Sequence, residues 1–386
     1  MSDDSRPETK RVFHIREANI FGAPERTILG QVRHCRKYAR IPVTFRKGGV
    51  ENALASELRR LGVPFLELVE FFTGDLSTAV RLAFMIRRHR PVLTITHEFK
   101  SNLYGYLASR ITGTPQIVHY HGATAEDLRV RLYNRIDQWV LKHVPRVITV
   151  AEETKRRLVT FGVNEDRIIV VPNATAETAF DAVPFRNEFF ERPAPLLVCA
   201  ARFSYEKGID VLIEAARELR DCGVRPNILI YGKGGEEPTI ERLIHKYDLG
   251  DSVKLAGFCR DLRGPFGAMD FLVIPSRSEG FPQVLLEAWA QGAPVVATPV
   301  GGLPDLIADN QNGLLAKAVS GKALADIIRQ ALLTPDFRAR CGGLGRRTVA
   351  EKYNFSEQVR QIEEIIDTCV GMNCSERRSL RRRISR

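Results

Sequence analysis

Nowhere does this chain hold the roughly 20 consecutive apolar residues that cross a bilayer. The opening M-S-D-D-S-R-P-E-T-K also lacks the apolar stretch of a secretory leader. The expectation is a cytoplasmic protein without an integral membrane part. Cysteine is scarce and unpatterned: Cys35, Cys199, Cys222, Cys259, Cys341, Cys369 and Cys374 are odd in number, scattered and never arranged as C-x-x-C. Neither a disulfide framework nor a zinc site is therefore indicated, leaving free thiols expected to be mostly buried. There is no tandem repeat and no low-complexity block to interrupt the pattern of the chain.

What is present is the composition of an ordinary globular protein, with 386 residues, 44% hydrophobic and 27% charged. That length suits two domains, each with its own core. Short apolar runs alternate with helical patterns throughout, which argues for α/β domains with parallel sheets. Strands are expected at residues 12–15, 42–45, 64–68, 92–96, 116–120, 147–150 and 168–171, then at 196–200, 227–231, 253–255, 271–274 and 294–298. We expect a disordered start over 1–10, a first domain over 11–175, a linker over 176–193, a second domain over 194–355, a last helix over 356–372 and a basic tail over 373–386.

Charge is uneven along the chain. Residues 1–175 carry 28 basic against 18 acidic side chains, net +10, residues 176–372 net −4, and the tail net +5, giving the overall +11. A basic first half and a basic tail suggest an anionic surface as partner. In the tail, R-R-S-L-R-R-R-I-S-R places Leu380 and Ile384 four apart among arginines, which fits a membrane-surface helix and equally a solvated tail. Nucleic acid is not expected, because no helix-turn-helix, RNA-binding or zinc-finger pattern accompanies the charge.

The most informative segment is S-E-G-F-P-Q-V-L-L-E-A-W-A-Q, Ser278 to Gln291. A buried strand at 271–274 precedes it, and Pro282 suits the first helical position, where its missing N–H costs nothing. Glu279 then stands just before the helix and Glu287 inside it, with Val284, Leu285, Ala288 and Trp289 as the core-facing stripe. Two carboxylate acceptors beside the free N–H groups of Gln283 and Val284 suit a polyol ligand. An isolated E-x7-E reads equally as two solvated helix-end charges. Together with the following G-A-P-V-V-A-T-P-V-G-G-L-P-D-L-I, however, the segment closely resembles the donor-binding signature of glycosyltransferase family 4.

The resemblance implies a GT-B fold: two Rossmann-like, doubly wound α/β domains facing a central cleft, with the C-terminal helix crossing back to the N-terminal domain. It also implies a retaining transferase in which Glu279 holds the transferred sugar's hydroxyls and Glu287 the nucleotide's ribose, within a donor site that includes Gly280, Phe281, Pro282, Gln283 and Val284. A second element, A-A-R-F-S-Y-E-K-G, places Arg202 and Lys207 on a strand-to-helix loop suited to a diphosphate. It resembles the family's G-R-x-x-x-x-K-G with Ala201 in the glycine position, and the resemblance assigns both cations to the leaving nucleoside diphosphate.

No D-x-D occurs, so the pair of aspartates that holds a divalent metal in another glycosyltransferase fold is missing. Catalysis is expected without an obligatory metal or cofactor, fixed cations and helix ends standing in. Weaker matches follow in order. They are Gly22 in F-G-A-P-E-R, where Pro24 is a departure; His121 in Q-I-V-H-Y-H-G; Gly232 in I-L-I-Y-G-K-G-G; Phe258 in K-L-A-G-F, near the base or equally in the core; and V-G-G-L-P-D from Val300. By resemblance His121 positions donor sugar or acceptor. The expected partners are a nucleotide-sugar donor, a glycan or lipid-linked acceptor of cell-surface polysaccharide or lipopolysaccharide assembly, and an anionic inner membrane surface. A catalytically silent scaffold of the same fold, or a nucleotide-sugar epimerase on it, are the alternatives.

Overall fold

The computed structural model describes residues 10–18, 21–48, 52–72, 74–121, 128–334 and 336–371. The basic tail, with Leu380 and Ile384, lies outside them. The chain divides into two compact units, one running to Pro172 and resuming at Phe355, the other spanning Asn173–Asn354. Residues 176–193 fall in the second unit.

The first unit is built on a seven-stranded parallel sheet. Its strands are β1 (Arg11–Arg16), β2 (Ala39–Lys47), β3 (Leu66–Glu70), β4 (Leu93–Thr96), β5 (Gln116–Tyr120), β6 (Arg146–Thr149) and β7 (Ile168–Val170), in the order β3-β2-β1-β4-β5-β6-β7. The central strands are covered on both faces, every residue of β4 and β5 being buried. The helix Phe355–Gly371 belongs to this unit: Ile362, Ile365, Ile366 and Cys369 pack against Val12, Leu93, Ile117 and Ile148. Glu363 accepts from the backbone N–H groups of Arg36 and Lys37 at 3.1 and 3.0 Å, and Tyr38 donates to Asp367 at 2.5 Å. At Gly30 a side chain is impossible without displacement, since a Cβ would fall 2.2 Å from the Phe355 ring.

The second unit holds a six-stranded parallel sheet of β8 (Leu196–Ala200), β9 (Asn227–Tyr231), β10 (Val253–Gly257), β11 (Phe271–Ile274), β12 (Val295–Ala297) and β13 (Gly313–Leu315), ordered β10-β9-β8-β11-β12-β13. All twelve expected strands are present, and β13 is additional. Its three residues, Gly-Leu-Leu, carry no β-branched side chain and no alternation, so pairing with β12 alone makes it a strand. Each sheet reverses its strand order once, between β1 and β4 in the first unit and between β8 and β11 in the second. At such a reversal the loops leaving the carboxyl ends of adjacent strands diverge and open a ligand crevice. Of the six described cysteines all are free, and three, Cys199, Cys341 and Cys369, are buried.

Candidate active site

In the second unit the crevice at the reversal is lined by the loops after β8 and β11, and both carry the expected residues. Lys207 ends a single 3-10 turn after β8, and its ammonium lies 2.7 Å from Glu279 Oε1 on the loop after β11. The same carboxylate oxygen accepts from Ser276 Oγ at 2.6 Å. Glu279's side chain is only 7% exposed and that of Lys207 24%, so the pair is partly withdrawn from water and held in register. An ammonium has three N–H donors, so two remain for oxygens of a ligand. Arg202 is half exposed and paired with Glu206 at 2.6 Å, four residues on. A pair this open is worth little by itself, and its guanidinium can turn to an arriving anion at small cost.

The surrounding loops are locked by glycines whose missing side chains are used. Gly208, at φ +62, lets the backbone approach Pro275, where a Cβ would lie 2.2 Å from the carbonyl oxygen. Gly301, at φ +58, packs so closely on the Glu279 backbone that a Cβ would fall 1.7 Å from its carbonyl oxygen. Gly302 N–H then donates to Gly280 O at 3.2 Å. The glycine pair after β12 therefore positions Glu279. Gly232 N–H donates to Gly257 O at 2.9 Å, tying the loops after β9 and β10 together. Phe258 is 56% exposed and not part of the core.

Two expectations about the glutamate helix are corrected. The helix is Gln283–Ala290, and Pro282 precedes it with φ −71° and ψ 116° rather than occupying its first turn. The entry is fixed by Asn173 Nδ2 donating to Phe281 O at 2.8 Å and Gln283 Nε2 donating to Ala174 O at 2.9 Å. The buried face is Leu285, Leu286, Ala288 and Trp289, with Val284 half-exposed. The cause is that this helix is covered on a second side: a Cβ at Gly345 would fall 2.5 Å from the Trp289 ring, whose Nε1 donates to Asn312 O at 3.1 Å. Glu287 stays partly exposed, outside that buried face.

In the first unit the strand reversal carries a cluster of histidines. His14 on β1, His97 just after β4, and His119 and His121 at the end of β5 stack with centroid separations of 4.3 to 5.4 Å. His14 Nδ1 lies 3.1 Å from His97 Nε2, and His97 Nδ1 lies 3.1 Å from His121 Nε2. His121 is the one partly exposed ring of the four. Burial, reinforced by positive neighbours and adjacent imidazoles, holds His14, His97 and His121 well below the ordinary imidazole range and pushes His119 down to about 3. Among the described residues, His97, His119 and His121 are also the three imidazoles whose nitrogens, within 4.8 Å of one another, have the chemistry a zinc-like ion takes. Beside them, burial raises Glu98 to about 7.

Gly22 immediately precedes the helix Ala23–His34, where its N–H donates to Glu25 Oε2 at 2.7 Å. Glu25 binds Arg16 at 2.8 Å, and Arg16 donates to His97 O at 2.8 Å. Pro24 falls in the first turn of that helix, so the departure in F-G-A-P-E-R costs no hydrogen bond.

Comparison with known proteins decides the family. The model for "Glycosyltransferase Family 4" matches residues 25–176, and that for "Glycosyl transferases group 1" matches residues 184–348. The chain belongs to glycosyltransferase family 4. WcaL of Escherichia coli K12, named for colanic acid biosynthesis, is 33% identical over 283 residues, covering 70% of this chain and 67% of that protein. The alpha-D-kanosaminyltransferase of Streptomyces kanamyceticus is 27% identical over 280 residues, covering 68% and 72%. Among solved structures, HepE of Anabaena, crystallised with UDP and glucose, superposes with a TM-score of 0.82 at 19% identity, covering 92% of this chain and 99% of that one. The GT-B architecture is thus shared, with two Rossmann-like units.

Several residues of this glycosyltransferase escaped the sequence reading. Ser276 fixes Glu279, while Arg277 grips Asp210 with two hydrogen bonds of 2.7 and 2.6 Å and lies over the Tyr205 ring at 4.3 Å. This brace ties the loop after β11 to the helix that follows Lys207. His14, His97 and Arg40 were missed as well. Only His97 offered a signal, a histidine at the carboxyl end of a strand adjoining the sheet reversal.

Proposed function

We propose that this glycosyltransferase moves a sugar from a nucleotide-sugar donor to a hydroxyl of a glycan or lipid-linked acceptor, with retention of anomeric configuration, in cell-surface polysaccharide assembly. The observation that carries the reading is the Lys207–Glu279 pair across the β8/β11 reversal. It supplies a fixed ammonium for a diphosphate and a carboxylate for sugar hydroxyls within one short span. Arg202 joins Lys207 in neutralising charge on the leaving diphosphate, Glu287 takes the ribose, and the backbone N–H groups at the start of Gln283–Ala290 receive phosphate or sugar oxygens. His121 positions the sugar or the acceptor. These fixed charges do what a metal would otherwise do, so turnover survives chelator. The HepE complex with UDP and glucose and the colanic acid name of WcaL support donor class and setting.

A peripheral membrane location is part of the same proposal. On the first unit, Leu76, Val80 and Phe84, spaced four apart and 48 to 66% exposed, continue into Phe71 and Phe72, which are 71% and 63% exposed. Arg81 lies over the Phe71 ring at 4.7 Å, and Arg87, Arg88 and Arg90 follow in sequence. Exposed aromatics beside arginines suit the headgroup boundary of an anionic bilayer. The functional test is a thermal-shift screen against uridine, guanosine and adenosine diphosphate sugars, followed by NMR of the product's anomeric proton. We expect stabilisation by one base class and a product with the donor's anomeric configuration. Inverted product would refute retention, and hydrolysis-free epimerisation of the donor would refute transfer.

A further inference from the structure

We infer that Arg40 fixes the proton positions along a buried chain of histidines and so makes His121 a hydrogen-bond donor through Nδ1 rather than a base. The inference deepens the reading that His121 meets donor sugar or acceptor, and rests on it for its catalytic meaning.

The chain begins at a group that can only accept. Pro172 O accepts from Gln358 Nε2 at 2.7 Å, Gln358 Oε1 accepts from Gln31 Nε2 at 3.0 Å, and Gln31 Oε1 accepts from Arg40 Nη1 at 3.1 Å. Each amide orientation follows from the one before, and the last meets a guanidinium, which can only donate. The two ends agree. Arg40 Nη1 also lies 3.4 Å from His14 Nε2, a long contact that admits a lone pair and repels a second proton. His14 therefore carries its proton on Nδ1 and donates it to His97 Nε2 at 3.1 Å. His97 must then carry its proton on Nδ1 and donate to His121 Nε2 at 3.1 Å. With Nε2 filled, His121 keeps its proton on Nδ1.

Running the chain backwards would set His14 Nε2–H against the Arg40 N–H, so the reversed set of tautomers is excluded. Arg40 is 2% exposed, and among the described residues its Nε and Nη2 have no partner, so it cannot turn to water to relieve such a clash. Desolvation lowers it only to about 10, which leaves it charged at neutral pH. The depressed range of the three histidines keeps one proton on each ring, as the chain requires. His119 donates and accepts nothing among the described residues; it stacks on His121 at 4.3 Å and 25° and holds that ring flat.

The consequence is chemical. His121 presents N–H to a hydroxyl or phosphate oxygen and has no lone pair with which to deprotonate an acceptor. A zinc-like ion on His97 Nδ1 would have to displace the proton that the chain places there, which disfavours it.

The test is ring-nitrogen NMR of full-length protein labelled at histidine. Wild type and Arg40→Lys should show Nδ1–H on His14, His97 and His121. Arg40→Met should return His121 to the Nε2–H form that free imidazole prefers. Nε2–H on His121 in wild type, an unchanged pattern in Arg40→Met, or stoichiometric zinc uptake that shifts His97 and His121 would overturn the inference. If Arg40→Met does not fold, Nε2–H on His121 in wild type or in Arg40→Lys still overturns the inference. With the donor chosen by the thermal-shift screen, Arg40→Met should lower kcat about tenfold at little changed KM, and Arg40→Lys should stay within about threefold of wild type. If His121→Ala turns over normally while the wild-type tautomers are as stated, the catalytic reading of His121 fails and the chain itself stands.

Discussion

At the scale of single residues, the Lys207–Glu279 pair separates two roles that the motif alone could not. Glu279 neutralises Lys207 and is proposed to accept from sugar hydroxyls, so removing its charge should act in opposite directions on two ligands. Glu279→Gln leaves the ammonium uncompensated and the site more positive. Free nucleoside diphosphate should then bind as well as before or a few-fold tighter, while turnover of the sugar donor falls. Glu287→Gln should weaken nucleotide and nucleotide sugar alike. Calorimetry with both ligands reads the difference, and equal losses for both ligands in both variants would reject the division. Lys207→Ala and Arg202→Ala both remove charge proposed to meet the leaving group, and each should lower turnover on the order of 100-fold, more than donor affinity. Lys207→Ala should in addition cost stability, because it strands Glu279 in a partly buried position, whereas Arg202→Ala should not. Turnover within a few-fold of wild type in both alanine variants would remove the two cations from catalysis.

At the scale of elements, the strands were legible because apolar runs such as Ile168–Val170 and Phe271–Ile274 are too short for a buried helix and are rich in β-branched or aromatic residues. The glutamate helix was legible in place but not in face. Its second buried side is created by Gly345 more than fifty residues downstream, which no local period reports. The histidine chain was illegible for the same reason: its members come from β1, β2 and the ends of β4 and β5, and only the sheet order brings them together. The glycines after β12 lead into the short helix Leu303–Leu306, as V-G-G-L-P-D suggests, and also form the surface against which Glu279 is set, which no local pattern reports. Gly301→Ala should therefore displace the Glu279 backbone. Strain at a position with φ +58 costs on the order of 1–3 kcal/mol, a fall in melting temperature of several degrees, with turnover down at least tenfold. Gly235→Ala is the control, since a Cβ there meets nothing within 4 Å. Equal behaviour of the two variants would mean that the close approach at Gly301 does not govern the site.

At the scale of the whole molecule, charge and apolar surface should make separable contributions to the membrane binding proposed above. The first 175 residues carry net +10 and the tail net +5, while the exposed apolar stripe belongs to the first unit alone. Each basic residue near an anionic leaflet contributes roughly 1 kcal/mol, fading over a Debye length of about 8 Å at physiological salt. A fully buried phenylalanine contributes about 1.5–3 kcal/mol whatever the salt. Deleting residues 375–386 should therefore reduce co-sedimentation with anionic liposomes mainly at low salt. Replacing Phe72 and Phe84 together by Ser should reduce it at low and high salt alike, and both variants should keep wild-type turnover on a soluble short acceptor. A Phe72/Phe84 variant that binds liposomes as wild type does would show that the stripe takes no part in docking. Equally weak binding of full-length and truncated protein to neutral and anionic liposomes would show the tail to be merely solvated.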